Sequence, residues 1–67
     1  MSTISVNGSP WPHAAGTTVR DIVGSLTSSL DGCAVAVNDT VVPRGDWARI
    51  VVEAGDRIEV LTAVQGG

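Results

Sequence analysis

Apolar and polar residues alternate near both ends of this chain and fall into a helical rhythm only once, between Val19 and Leu30. Ile4 and Val6 stand among polar Thr3, Ser5 and Asn7, the period of two that sends successive side chains to opposite faces of a strand. Asn7-Gly8 then supplies the two residues that tolerate positive φ at the centre of a tight hairpin turn. The returning strand carries Pro10 and Pro12, which cannot donate to a ladder, so it is expected to be short and to lie at a sheet edge with Trp11 packed there. Val19, Ile22, Val23, Leu26 and Leu30 fall on one helical face, and Thr18 with Asp21 three residues on forms an N-terminal cap. Gly24 costs about 1 kcal/mol relative to alanine and residues 27–29 are weak helix formers, so tertiary packing has to hold this helix. Asp31-Gly32 is expected to close it, because glycine readily takes the left-handed conformation.

The apolar run 33–37 is bounded by turn residues and predicts a strand buried between neighbours. Asn38-Asp39 turns the chain, and Val41-Val42 starts a brief strand that Pro43 stops. Residues 46–49 predict one helical turn, 50–52 a further extended segment, Ala54-Gly55-Asp56 a turn, and 58–64 the closing strand. In that strand Ile58 and Val60 share one face while Glu59 and Leu61 share the other. Giving the Ile58 face to the core leaves Leu61 exposed. The order ββαβ(β)β has one helix, which can cover only one face of a sheet. The economical packing is an α+β fold of β-grasp type, a mixed four- to five-stranded sheet packed on one main α-helix.

Composition agrees with a sheet-rich domain: valine and isoleucine supply fifteen residues against three leucines, and β-branched side chains favour the pleated surface. The 67 residues suffice for a single domain, expected over 1–67 with a flexible glycine tail at 65–67. A chain of this size buries only about 60% of its unfolded surface, too little for a roomy enclosed active site. With a net charge of −3, no lysine and four scattered arginines, no basic stripe is available for nucleic acid. The run 33–37 is far shorter than the roughly 20 apolar residues that cross a bilayer, and the N-terminus shows no basic-then-apolar signal pattern. Neither nucleic acid nor membrane is therefore an expected partner. The single cysteine fits a reducing compartment, and a cytoplasmic location is expected.

Candidate chemistry is sparse. His13 stands beside two prolines with no ligand-type residue at metal spacing, so it is expected to be a solvent-exposed loop histidine. Cys33 opens an apolar run and is expected to behave as a small buried hydrophobe. Asp56 and Glu59 lack a histidine, serine or cysteine partner and are expected to be solvated surface charges. Ala15-Gly16-Thr17-Thr18 precedes the helix without the lysine or spacing of a phosphate-binding loop. No residue is assigned as catalytic and none as a metal ligand. The ending Ala63-Val64-Gln65-Gly66-Gly67 is left. On spacing alone, a closing Gly66-Gly67 is compatible with a frayed end or with a functional tail. The functional reading has a physical basis: glycine has no Cβ, so a slim tail on an ordered strand can enter another protein where a side chain would block it.

The ordered series Val37-Asn38, Val41-Val42-Pro43-Arg44 followed by Trp47, Gly55-Asp56 with Ile58-Glu59, and Ala63-Val64-Gln65-Gly66-Gly67 resembles the ThiS family of thiamine-biosynthesis sulfur carriers, ubiquitin-like β-grasp proteins. The likeness spans essentially the whole chain, and departs from the family pattern mainly at Pro10-Trp11-Pro12-His13. It implies that a ThiF-like adenylyltransferase of the ubiquitin-activating type uses ATP and magnesium to adenylate Gly67. It implies further that a persulfide donor converts the adenylate to a thiocarboxylate, and that a ThiG-like thiazole synthase takes the sulfur. Gly67 is then the covalently modified residue, Gly66 gives access, and Leu61, Ala63, Val64 and Gln65 contact the partners. The chain itself binds no cofactor and acts as a protein cosubstrate, not an enzyme. Two alternatives stand beside this reading. One is the small subunit of molybdopterin synthase, whose approach to the tail is usually richer in phenylalanine and carries a proline, unlike 61–65 here. The other is a noncovalent ubiquitin-like binding module that uses a patch around Leu61.

Overall fold

The computed structural model describes residues 2–27 and 32–61. Strands β1 (Thr3–Val6) and β2 (Ser9–Pro12) form the expected antiparallel hairpin, with Ile4 opposite Trp11. Both turn centres have positive φ, 51° at Asn7 and 83° at Gly8, which matches the twist of the flanking strands. Strands β3 (Ala34–Val37) and β4 (Thr40–Val42) form a second hairpin over Asn38 and Asp39, also at positive φ. The last strand, β5 (Arg57–Leu61), lies between the two hairpins, parallel to β1 and antiparallel to β3. The sheet order is β2-β1-β5-β3-β4, and the proline-bearing strand is at an edge as its missing donors require. With helix α1 (Val19–Leu26) laid on one face, this is the β-grasp arrangement.

The helix begins where the sequence says it should. Asp21 donates its backbone N–H to Thr18 Oγ1 at 3.2 Å, and Asp21 Oδ2 accepts the Thr18 N–H at 3.0 Å, a reciprocal cap that satisfies two orphan donors. It ends earlier than expected. Thr27 is already extended, with φ −149° and ψ 147°, and Leu26 is 39% exposed where the helical pattern placed it on the buried face. Gly24 weakens the interior, and the Ser25 hydroxyl donates to the Asp21 carbonyl, a competing local bond that disfavours continuation. Gly32 does have positive φ, but it does not terminate α1; Leu30 and Asp31 lie outside the described residues.

At four places the structure differs from the sequence-based reading or extends it. The helical turn expected over 46–49 is present, with the Arg49 and Ile50 N–H groups donating to the Asp46 carbonyl at 2.9 and 3.1 Å, and it is preceded by the short 3-10 helix Arg44–Asp46, whose entry Pro43 presets with φ −59°. Residues 50–52 do not join the sheet. Instead Val51 bridges Thr18, with Val19 donating to Ile50 and Val52 to Thr17, each at 2.9 Å, so this segment satisfies the first helical N–H. His13 is half-buried, and its Nε2 lies 3.0 Å from the Val52 carbonyl, which can only accept, so Nε2 carries the proton. Cys33 is half-buried against the core, where full burial was expected.

The core fills the space between α1 and the sheet with Ile4, Val6, Val35, Ile58 and Val60 from the strands, and Val19, Ile22 and Val23 from the helix. Val52 and Trp47 complete it. Trp47 is 1% exposed and is the largest side chain there, a role the local pattern does not reveal. Its indole N–H donates to the Val42 carbonyl at 2.9 Å, so one residue fills the core and holds β4.

Trp47→Phe is expected to lose about 2 kcal/mol, or roughly 10 °C in melting temperature, through the lost bond and ring volume. An unchanged melting temperature would show that the indole does not hold β4. The Thr18 backbone N–H, and then its hydroxyl, hold the Asp21 carboxyl below the ordinary value of 3.8. A depressed folded pKa means stability present above 3.8 and lost as pH falls through the lower folded value. Wild type is therefore expected to melt above Asp21→Asn at neutral pH, with the gap closing well below pH 3.8; a gap independent of pH would refute the linkage.

Candidate functional site

Strand β5 sorts its side chains as the alternation requires: Ile58 and Val60 are buried, whereas Leu61 is 72% exposed on the face opposite α1. The register places Leu61 beside Ala34 and Glu59 beside Ala36. Ala36 in turn lies beside Val41, which is 73% exposed. Leu61 and Val41 therefore stand as two apolar ridges with small alanines between them. The result is a shallow concavity of about 170 Å³ on the open sheet face, lined by Ala34, Val35, Ala36, Val41, Glu59 and Leu61. Glu59 is its one ionisable lining group. Such a face offers apolar contact with an acidic edge.

The polar groups around the patch are structural or peripheral. Arg57 pairs with Asp39 at 2.8 Å, but both side chains are well exposed and such a pair contributes little. Asp56, expected to be a solvated charge, is half-buried. It accepts from the Glu53 N–H at 2.8 Å and from the Asn38 carboxamide at 3.0 Å, and so builds the turn into β5. Glu59 is exposed as expected. Among the described residues no three histidine, cysteine or acidic side chains are grouped so as to hold a metal ion. No helix among them is long and apolar enough to cross a membrane.

Of the residues named from the sequence, Leu61 lies on the open face where alternation put it. Ala63, Val64, Gln65, Gly66 and Gly67 lie outside the described residues, as does the expected extension of β5 to residue 64. Sequence reading missed Ala34, Ala36 and Val41 as part of the surface. A signal for the last two existed: a two-residue turn at Asn38-Asp39 sets 37 opposite 40 and 36 opposite 41, which puts Ala36 and Val41 on one face.

The family model of the ThiS family matches residues 4–67. The chain belongs to the ThiS family. It is 39% identical over 64 residues to the sulfur carrier protein ThiS of Escherichia coli (strain K12), covering 96% of this chain and 97% of that one. A thiazole synthase of Magnetococcus marinus is 36% identical over 64 residues, 96% of this chain but only 20% of that protein. The crystal structure of the thiamine biosynthesis protein ThiS from Geobacter metallireducens superposes with a TM-score of 0.74 at 26% identity, over 97% of this chain and 99% of that one. As a member of the ThiS family the chain is a sulfur carrier of thiamine biosynthesis and not itself an enzyme.

Because Leu61 is exposed, Leu61→Asp is expected to change stability by less than about 1 kcal/mol, whereas Val60→Asp on the buried face of the same strand should prevent folding. Thermal unfolding of the two variants checks the face assignment. A Leu61→Asp protein as unstable as Val60→Asp would overturn it.

Proposed function

We propose that the Gly67 carboxylate is the group that carries sulfur, and that the open sheet face docks the proteins that load and unload it. The observation that carries this reading is the position of Leu61. It is exposed at the end of a strand held inside the sheet, with six residues ending in Gly66-Gly67 beyond it. At no more than about 3.3–3.6 Å per residue, those six reach roughly 20 Å at most. A partner that grips the Leu61 patch must therefore hold its reaction centre within that distance.

In the proposed cycle a Gly67 carboxylate oxygen attacks the α-phosphorus of magnesium-bound ATP on a ThiF-like adenylyltransferase, and pyrophosphate leaves. The terminal sulfur of a persulfide donor then attacks the carbonyl carbon and AMP leaves. A thiol cleaves the resulting S–S bond, releasing the thiocarboxylate and a disulfide. Gly66 and Gly67 present no side chain to obstruct either attack. Ala63, Val64 and Gln65 contact the partner along the channel that the tail enters. A ThiG-like thiazole synthase is the acceptor of the sulfur. A stretch similar to nearly all of this chain makes up 20% of one protein named thiazole synthase and 19% of another, from Paramagnetospirillum magneticum, which supports that partnership. The cycle belongs in the cytoplasm, where ATP and reducing thiols are at hand.

Incubated with the adenylyltransferase, magnesium-ATP and a sulfur donor, the full chain is expected to gain the mass difference between sulfur and oxygen. A chain lacking Gly67 should gain nothing, and Leu61→Asp should be charged only at raised carrier concentration. Intact-mass spectrometry decides. Charging of the shortened chain would sink the assignment to Gly67, and a deletion strain that grows without thiamine but loses molybdoenzyme activity would move the carrier to the other pathway.

A further inference from the structure

The parallel pairing of β1 with β5 is short: Ser5 lies opposite Arg57 and Val6 opposite Ile58, and there β1 ends. The backbone rungs run from Ser5 N–H to Asp56 and from Asn7 N–H to Ile58, each at 2.9 Å. The next rung falls at Val60, but by then the chain has entered the Asn7-Gly8 turn. The Asn7 side chain takes over. Its Oδ1 accepts the Val60 N–H at 2.8 Å, and its Nδ2 donates to the Val60 carbonyl at 3.2 Å. A carboxamide has the donor and acceptor of a peptide group, so Asn7 continues the ladder by one rung with a side chain in place of backbone. Positive φ at Asn7 permits this, since it turns the main chain away while the side chain stays over β5. On its other edge this end of β5 pairs with β3, through Val35 opposite Val60 and Ala34 opposite Leu61.

We propose that the Asn7 carboxamide is the positioning residue of the sulfur-carrying tail: it locks Val60, and with it the stem that orients Leu61 and aims the six residues beyond. The inference rests on the sulfur-carrier cycle proposed above. A carrier whose stem is formed only part of the time docks with an apparent affinity reduced by that fraction, while the rate at saturation is unaffected. Asn7 therefore acts on the KM of the carrier and not on kcat.

The test uses Asn7→Gly, which keeps the positive φ and deletes the clamp, together with Asn7→Asp, which keeps the acceptor for the Val60 N–H and loses the donor. Amide hydrogen exchange on the full chain is expected to quicken about tenfold or more at Val60, while Ile22 and Val23 in the helix keep their protection. Under conditions where those helix amides report a folded protein, the KM of the carrier for its adenylyltransferase, with magnesium-ATP and sulfide, should rise about threefold or more with kcat within about twofold. Asn7→Asp, whose second carboxylate oxygen faces and repels the Val60 carbonyl that Nδ2 had bonded, is expected to move both readouts in the same direction by a smaller amount, and it decides the matter if Asn7→Gly does not fold. Unchanged exchange at Val60, or a uniform loss of protection with KM unaltered, would overturn the proposal. Failure of the wild-type chain to be charged at all would instead sink the carrier cycle, and Val60 exchange would still report whether the clamp exists.

Discussion

The arrangement depends on one burial constraint: an eight-residue helix laid on a five-stranded sheet covers one face and, among the described residues, leaves the other without a protein layer. Every strand must therefore alternate, and β5 does so most strictly, with Ile58 and Val60 against the helix and Arg57, Glu59 and Leu61 outward. The buried face supplies the hydrophobic stabilisation that a chain of 67 residues cannot spare. The open face costs stability where it is apolar. Val41 and Leu61 are kept there against that cost, with alanines between them where larger polar side chains would fit the solvent better. The docking role proposed above for this face accounts for that choice.

Central placement of β5 follows from topology. The chain builds two hairpins first, and the closing strand enters between them, so it is hydrogen-bonded on both edges. For the tail-borne function proposed above, such a strand is a stiffer support than an edge strand, because fraying must break both the β3 ladder and the β1 pairing that the Asn7 side chain extends. Pro10 and Pro12 complete the logic at the outer edge, where missing donors discourage pairing with a second sheet.

How far the sequence could be read follows the range of each interaction. The first hairpin, the cap at Thr18 and the facing of β5 depend on neighbours within a few residues, and period-two alternation, Asn7-Gly8 and the Thr18–Asp21 spacing express them directly. The helix end was not legible because Gly32 is a good terminator that the helix never reaches; Thr27 leaves first. Trp47 carries no periodic signal, since its burial comes from a segment outside the strands that is tied to α1 through Arg20 and to β4 through Val42. His13 bonds to a carbonyl 39 residues away, and no local pattern could show that its ring is held. The patch was half legible: Leu61 from alternation, Val41 only once the register of β3 against β4 is known.

Two asparagines treat the ends of β5 alike, and the likeness says what kind of device the strand needs. At its start Asn38, in the turn between β3 and β4, accepts the Arg57 N–H at 2.9 Å through its side chain while its own N–H reaches the Arg57 carbonyl at 2.8 Å. At its end Asn7, in the other hairpin turn, holds both backbone groups of Val60. Both have positive φ, at 50° and 51°, the conformation that asparagine tolerates better than other side-chain-bearing residues. A hairpin turn must leave the sheet, and wherever it leaves, the strand beside it loses a rung. Asparagine can form the turn and restore the rung at once, since it bends like glycine yet carries a peptide group on its side chain. Glycine could make either turn but would leave the Val60 N–H, on a residue that is 5% exposed, without its partner.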